Sequence, residues 1–360
     1  MIDFRSDTVT RPTQAMQQAM YNAPLGDDVF SDDPSVNALQ EFAADKFGFA
    51  GALFAPSGTM TNLIALMSHC QRGDEAIVGQ NWHTYKWGGG GMAVLGSIQP
   101  QPLPHQADGS IALADIALAI KPDDPHFAKT RLVVIENTTG GQVLPLSYMQ
   151  SVAELAKQKQ LSAHIDGARI MNAAVAIASQ QGSDVWQCAK ALVAGYDSVS
   201  VCLSKGLGAP VGSLLLGDSA FLQRAKRVRK MLGGGMRQAG MLAAAGQYAL
   251  THNVTRLMDD HNNAATLAAG LTAIATELQL GSDFLVSTPQ TNIIFCDLAA
   301  PLAQYFVAEL ATVGIACISS SYQAGDATRC KLRLVTHLDI SSNDIEITLM
   351  QSRRILAAFK

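Results

Sequence analysis

The chain has 360 residues, 48% of them hydrophobic and 16% charged, with 26 Lys and Arg against 30 Asp and Glu for a net charge of -4. That balance excludes a disordered chain and gives no electrostatic reason for a nucleic-acid partner, while the length suffices for two domains at roughly 150 residues each. No apolar run reaches the roughly 18 residues of a membrane span, so no membrane partner is expected. The first ten residues already carry Asp3, Arg5 and Asp7. Cys70, Cys188, Cys202, Cys296, Cys317 and Cys330 form no C-x-x-C pair and have mostly apolar neighbours, which predicts reduced thiols, a cytoplasmic location and no metal site.

In chain order, Asp33 followed by Pro34 reads as the N-cap and first position of a helix that Gly48 closes. Short apolar runs follow at 52–55, 75–78, 132–136, 161–165, 198–203 and 212–216, several separated by amphipathic stretches such as 148–159. The rhythm predicts an α/β fold whose mostly parallel sheet is covered by helices on both faces. Pro100 to Pro104 reads as a loop. The basic stretch 224–230 alternates with apolar residues at helical spacing and reads as a solvated helix face. Beyond it, a long Ala- and Leu-rich helical stretch, strand-like runs at 292–296, 315–319 and 332–335, and a last helix predict a smaller α+β domain. The expected division is 1–250, including the N-terminal segment, and 251–360.

Three strand ends carry chemistry. The run 198–203 delivers Lys205 just past its end, followed by Gly206 and Gly208, at the edge where ligands of open α/β sheets sit. A lysine so placed can attack an aldehyde, although on spacing alone a lysine in a polar loop reads the same. The run 161–165 ends at Asp166, where an anion can hold a pyridine nitrogen protonated; read alone, it is equally a helix N-cap. Ala55-Pro56-Ser57-Gly58-Thr59-Met60-Thr61-Asn62 is a strand-to-helix turn whose amides and hydroxyls suit a phosphate, a signal shared by many caps. Together they supply a covalent anchor, a pyridinium partner and a phosphate cradle. That set points to pyridoxal 5'-phosphate (PLP) held as a Schiff base on Lys205.

Several longer stretches extend the pattern. They are Arg5-Ser6-Asp7-Thr8-Val9-Thr10, Gly26-Asp27-Asp28-Val29, His164-Ile165-Asp166-Gly167-Ala168-Arg169, Leu203-Ser204-Lys205-Gly206-Leu207-Gly208, Gly233-Gly234-Gly235-Met236-Arg237-Gln238 and Arg333-Leu334-Val335-Thr336-His337. In this order they make the chain resemble, over essentially its whole length, the low-specificity threonine aldolases. These are PLP enzymes of the aspartate-aminotransferase-like fold, fold type I.

The resemblance implies retro-aldol cleavage of L-threonine, L-allo-threonine and related β-hydroxy amino acids to glycine and an aldehyde. It implies Lys205 as the Schiff-base lysine, Asp166 as the pyridine partner, Gly58, Thr59, Ser204 and Arg237 as phosphate ligands, and His83 stacked on the cofactor ring. Ser6, Arg169 and Arg333 match the binders of the substrate carboxylate, with Arg169 also near the cofactor, and His126 and Lys230 match positions near the substrate side chain. A homo-oligomer, dimer or tetramer, with active sites at subunit interfaces is implied as well. A β-eliminating lyase or an aminotransferase of the same fold would keep Lys205 and Asp166, and a PLP sensor would keep binding without turnover. Three features depart from the family pattern: Thr139 where it has His, Phe30 where it has Tyr, and a longer segment from Ser319 to Lys331.

Overall fold

Asp33 realises the local signals read from the sequence. Its Oδ1 accepts the Ser35 and Val36 N–H groups at 3.1 Å each, capping the helix Pro34–Phe47, and Gly48 ends that helix in the left-handed region at φ 77°. Its Oδ2 accepts the Gly26 and Gly240 amides at 3.2 and 2.8 Å, so one buried carboxylate ties a cap to the preceding loop and to a segment some 200 residues on. These features come from a computed structural model that describes residues 1–320 and 328–359. The chain divides into two units, Pro12–Val254 and Met1–Arg11 with Thr255–Lys360.

The chain opens with β1 (Ile2–Asp3), which belongs to the second unit. The first unit is built on β2 (Gly51–Ala55), β3 (Asp74–Gly79), β4 (Gln99–Leu103), β5 (Lys129–Glu136), β6 (Ser162–Asp166), β7 (Ser198–Cys202) and β8 (Ser213–Gly217). They form one sheet in the order β2-β8-β7-β6-β5-β3-β4, in which β8 alone runs against its neighbours. The continuous apolar run of β5 is explained by burial on both faces, since Leu132 to Ile135 are all at most 1% exposed; β7 alternates serine and valine, and Ser198, Val199, Ser200 and Val201 are at most 1% exposed as well.

Two sequence expectations change here. The Pro100 to Pro104 piece is not a loop: β4 is an edge strand that pairs in parallel with β3 alone. An edge strand has an open side, and there the missing N–H groups of Pro100 and Pro102 cost no ladder bonds. The basic stretch lies on the helix Ser219–Met231, but not all of it is solvated. Arg229 is buried, pairs with the buried Asp28 at 2.8 Å and donates to the Phe54 carbonyl at 2.6 Å.

In the second unit, β9 (Phe284–Val286), β10 (Ile293–Ala299), β12 (Ile318–Ser320) and β13 (Arg329–Val335) form an antiparallel sheet in the order β12-β13-β10-β9. The helices Leu257–Glu277, Ala300–Thr312 and Ser342–Ala358 supply the rest of a core that includes Leu267, Phe284, Phe306 and Leu332. The N-terminal segment, grouped by sequence with the large domain, packs in this unit because β1 pairs in parallel with β11 (Ile315–Ala316) and Phe4 is buried in its core. Most of the long segment noted between Ser319 and Lys331, residues 321–327, lies outside the described residues.

Asp33→Ala removes four acceptor bonds at once, and the amides it abandons include that of the distant Gly240. The expected loss is about 2 kcal/mol or more in urea unfolding, with Asp33→Asn losing less because it keeps the capping oxygen.

Candidate active site

The parallel strands deliver their chemistry at one edge of the sheet. β5 and β6 end on Glu136 and Asp166, which sit side by side in register, and Asp166 in turn pairs with Ser200 of β7. Past the end of β7 the chain turns back into β8. Leu203 N–H donates to the Gly212 carbonyl at 3.0 Å, and Gly208 N–H to the Lys205 carbonyl at 2.8 Å. Gly208 closes that turn at φ 80°, a conformation that favours glycine. Lys205 is thereby held half-buried, in a small cavity that it lines together with Gly167, Ala168 and Arg169.

Asp166 is 1% exposed, and each of its oxygens has a donor. Its Oδ1 accepts the Ala168 N–H at 3.2 Å, and its Oδ2 accepts Asn62 Nδ2 at 2.8 Å. Gly167 follows of necessity, since a Cβ there would fall 2.6 Å from the Ser200 carbonyl oxygen. Asn62 lies on the helix Gly58–His69, whose N-cap Ser57 accepts the Met60 N–H. Gly58 and Thr59 occupy the first turn of that helix, where backbone amides lack intrahelical partners.

His83 begins the short helix His83–Lys86 beyond β3, and its backbone N–H donates to Glu136 Oε2 at 2.6 Å. The preceding Trp82, 1% exposed, donates its indole N–H to the Thr139 hydroxyl, so Thr139 anchors the loop that carries His83. Burial lowers the His83 pKa, Asp166 opposes that, and Lys205 and Arg169 add to it. Asp166, Lys205 and Arg169 therefore lie within electrostatic reach of His83, and the imidazole is neutral near pH 7.

Glu136 is a site residue that the sequence motifs do not single out. Burial, followed by the neighbouring Asp166, pushes its carboxyl up to about 8 against the lowering effects of the His83 N–H, Lys205 and Arg169. The signal available was positional: Glu136 ends an apolar run just as Asp166 does.

The remaining predicted residues are placed as follows. Ser204, half-buried, lies 3.5 Å from Cys202 Sγ. Arg237 is exposed and pairs with Asp27 at 3.1 Å. Lys230 is exposed on the helix Ser219–Met231, with its side chain against Gly235. His126 is exposed and pairs locally with Asp124 at 2.7 Å. Ser6 and Arg333 belong to the second unit and are close there, since Arg333 Nη2 donates to the carbonyl of Arg5 at 3.0 Å. Phe30 is 72% exposed. A larger hollow in the first unit, lined by Phe49, Ala50, Asp197 and Asp218 among others, lies where β2 and β7 begin, the wrong end of the strands for this chemistry.

Residues 3–300 match the beta-eliminating lyase family. The low-specificity L-threonine aldolase of Escherichia coli K12 is 48% identical over 99% of this chain and 100% of its own length. Low-specificity L-threonine aldolase 1 of Arabidopsis thaliana is 42% identical over 97% of this chain and 94% of its own. Among solved structures, a Leishmania major threonine aldolase superposes with a TM-score of 0.82 at 20% identity, covering 99% of this chain and all of that one. A serine palmitoyltransferase solved with PLP superposes at 0.71 and 19% identity, covering 98% and 87%. The expectation of an aspartate-aminotransferase-like, fold type I architecture holds.

Glu136 gives this site a pH signature. Its folded pKa of about 8 stands above an unfolded value near 4.3, so the stability it contributes is present below that lower value and is lost as the pH rises toward 8. Glu136→Gln mimics the protonated acid. In cofactor-free protein, its melting temperature should fall less than the parent's between about pH 5 and about pH 8. Equal falls would mean that Glu136 is already ionised at the lower pH.

Proposed function

Because the chain belongs to the low-specificity L-threonine aldolases, within the beta-eliminating lyase family, we propose that it is a PLP-dependent lyase cleaving L-threonine and L-allo-threonine to glycine and acetaldehyde. Other β-hydroxy-α-amino acids would be cleaved to glycine and their own aldehydes. The observation that carries this reading is the convergence of Lys205, Asp166, His83 and Arg169 at neighbouring strand ends. The donor set suits PLP. Lys205 offers an amine for the aldehyde, and Asp166 is a carboxylate with acceptor capacity left after two N–H bonds. Gly58 leaves room for a phosphate at the helix start, since a Cβ there would meet no atom closer than 3.8 Å.

Bound PLP supplies an electron sink for the pair left on Cα when the Cα–Cβ bond breaks. The chain's own residues do the rest. Lys205 would anchor the cofactor through its ε-amine. Asp166 accepts from the ring nitrogen and holds its proton. Arg169, Ser6 and Arg333, which match the family's carboxylate binders, are assigned the substrate carboxylate, and a guanidinium suits it bidentately. That contact sets which bond at Cα is weakened. Neutral His83 is assigned to take the β-hydroxyl proton, directly or through one water, as the aldehyde leaves. Gly58, Thr59 and Ser204 are assigned the phosphate. In this reading the enzyme is cytoplasmic and a homo-oligomer, dimer or tetramer, in which the exposed Arg237 reaches the phosphate of a neighbouring subunit. His126 and Lys230 are assigned to the substrate side chain. Among the described residues, no helix is long and apolar enough to cross a membrane.

Purified protein given L-threonine should release acetaldehyde and glycine in equal amounts; 2-oxobutanoate with ammonia would instead mark a β-eliminating lyase. Borohydride treatment of the yellow holoenzyme and peptide mapping should place the pyridoxyl group on Lys205, and a label on any other lysine would overturn the anchor.

The two candidate histidines should differ. His83→Asn should lower kcat by roughly 100-fold or more, the range lost with a general base, whereas His126→Asn should mainly raise KM and change the ratio of L-threonine to L-allo-threonine cleavage. An unchanged kcat in PLP-loaded His83→Asn would remove it as the base. An unchanged KM and diastereomer ratio in His126→Asn would remove that residue from the substrate pocket.

A further inference from the structure

Behind Asp166 runs a line of buried polar side chains that the reaction itself does not use. Asn62 Nδ2 lies 2.8 Å from Asp166 Oδ2, and Asn62 Oδ1 lies 3.1 Å from His164 Nε2. His164 Nδ1 lies 2.8 Å from Ser198 Oγ, and that oxygen lies 2.7 Å from His69 Nε2. Exposure is 4% at Asn62 and zero at His164 and Ser198, so the line is closed to bulk water for most of its length. We infer that Asn62, His164, Ser198 and His69 form a positioning chain that keeps the Asp166 carboxylate a pure hydrogen-bond acceptor aimed at the cofactor's ring nitrogen. The inference rests on the assignment of Asp166 to that nitrogen.

The direction of every link follows from the carboxylate. An ionised Asp166 can only accept, so Asn62 must turn its amide N–H toward it and its carbonyl oxygen toward His164. His164 must then carry its proton on Nε2, which leaves Nδ1 as an acceptor for the single Ser198 hydrogen. Having given that hydrogen away, Ser198 Oγ must accept from His69 Nε2–H. All four donors thus point toward Asp166.

Burial favours this by keeping both rings neutral, each with one donor and one acceptor. It pushes His164 down to about 3, helped by His69 and opposed by the Ser198 backbone, and His69 down to about 4, helped by Arg224 and opposed by Asp218. The stacked Phe221 ring, 4.5 Å away and tilted 21°, covers His69. Placing a proton on Asp166 Oδ2 would require Asn62 to flip, both histidines to change tautomer and Ser198 to rotate together. Aligned bonds of this kind polarise one another, so the chain resists that reversal as a unit.

The sequence spacing supports a built device. Asn62 and His69 are seven residues apart, on one face of the helix Gly58–His69, and His164 and Asp166 are two apart, on one face of β6. His164 and Ser198 are register partners on adjacent strands.

The test uses holoenzyme loaded with PLP labelled with 15N in the ring, and separately holoenzyme labelled with 15N-histidine. The histidine spectrum should show His164 protonated on Nε2 and bare on Nδ1, with His164→Gln identifying the signals; a proton on Nδ1 would mean that the chain runs the other way and would overturn the inference. Asp166→Asn should move the ring-nitrogen shift toward that of a neutral pyridine. His164→Leu and Ser198→Ala should move it part of the way and lower kcat with little change in KM. The expected loss is roughly 10- to 100-fold, the range carried by groups that orient a functional residue. His164→Gln offers one donor and one acceptor to the same neighbours and should restore both readouts. If Asp166→Asn leaves the ring shift unchanged, the Asp166 assignment fails and the chain's role goes with it. If Asp166→Asn moves the shift but folded, loaded Ser198→Ala and His164→Leu do not, the assignment stands and the positioning chain is wrong. Should His164→Leu not fold, Ser198→Ala carries the decision, since it cuts two links by deleting one oxygen.

Discussion

A carboxylate kept out of water is expensive unless each of its oxygens is answered, and Asp166 places that demand at the end of a central strand. Much of the local sequence is its consequence. The chain must turn sharply enough for the Ala168 amide to reach Oδ1, and the Ser200 carbonyl then leaves no space for a side chain at Gly167. Oδ2 needs a neutral donor from another element, which Asn62 supplies from the helix packed on the sheet. A buried asparagine brings its own carbonyl oxygen to satisfy, so the requirement passes on to His164 and from there to Ser198 and His69.

The antiparallel strand serves a related purpose on the lysine side. In a parallel sheet the chain must leave through a crossover of a dozen or more residues before it can pair again. Because β8 runs against β7, the chain returns through the loop 203–212 with no crossover, and Lys205 sits in that loop, which is tied through Leu203, Gly208 and Gly212. A flexible four-carbon side chain gains most from such anchoring, since its backbone origin is set while its amine stays free to reach.

The strand ends were legible in the sequence because each marks a sharp change of composition: an apolar run stops and Lys205, Asp166 or Ser57-Gly58 follows. Asp33 and Gly48 were legible for the same reason, as each has a side chain or backbone suited to one end of a helix. What escaped depended on partners distant in sequence. Pro100 and Pro102 oppose strand formation locally, and only the single-sided pairing of β4 makes them harmless. Arg229 looks like its solvated neighbours until Asp28, some 200 residues away, is folded against it. The N-terminal segment has no apolar signal of its own beyond Ile2 and Phe4, so its attachment to the second unit rests on pairing with β11. Of the polar line behind Asp166, the sequence displays the spacings of seven and two but not that a helix face and a strand face meet.

Glu136 and Asp166 show why neighbouring carboxyl groups in one site need different surroundings. They end adjacent parallel strands in register, so two full charges there would repel across a short, poorly solvated gap. Asp166 has two N–H donors, one of them backed by the buried polar line, whereas the donor resolved at Glu136 is the His83 amide. The site places the charge where the donors are and holds the proton on Glu136, whose carboxyl stays up near 8. One carboxylate rather than two then faces Lys205 and Arg169. That leaves a positive surplus suited to an anionic cofactor and to a substrate carboxylate, and it leaves Glu136 able to hold the His83 backbone without drawing His83 into its charged form.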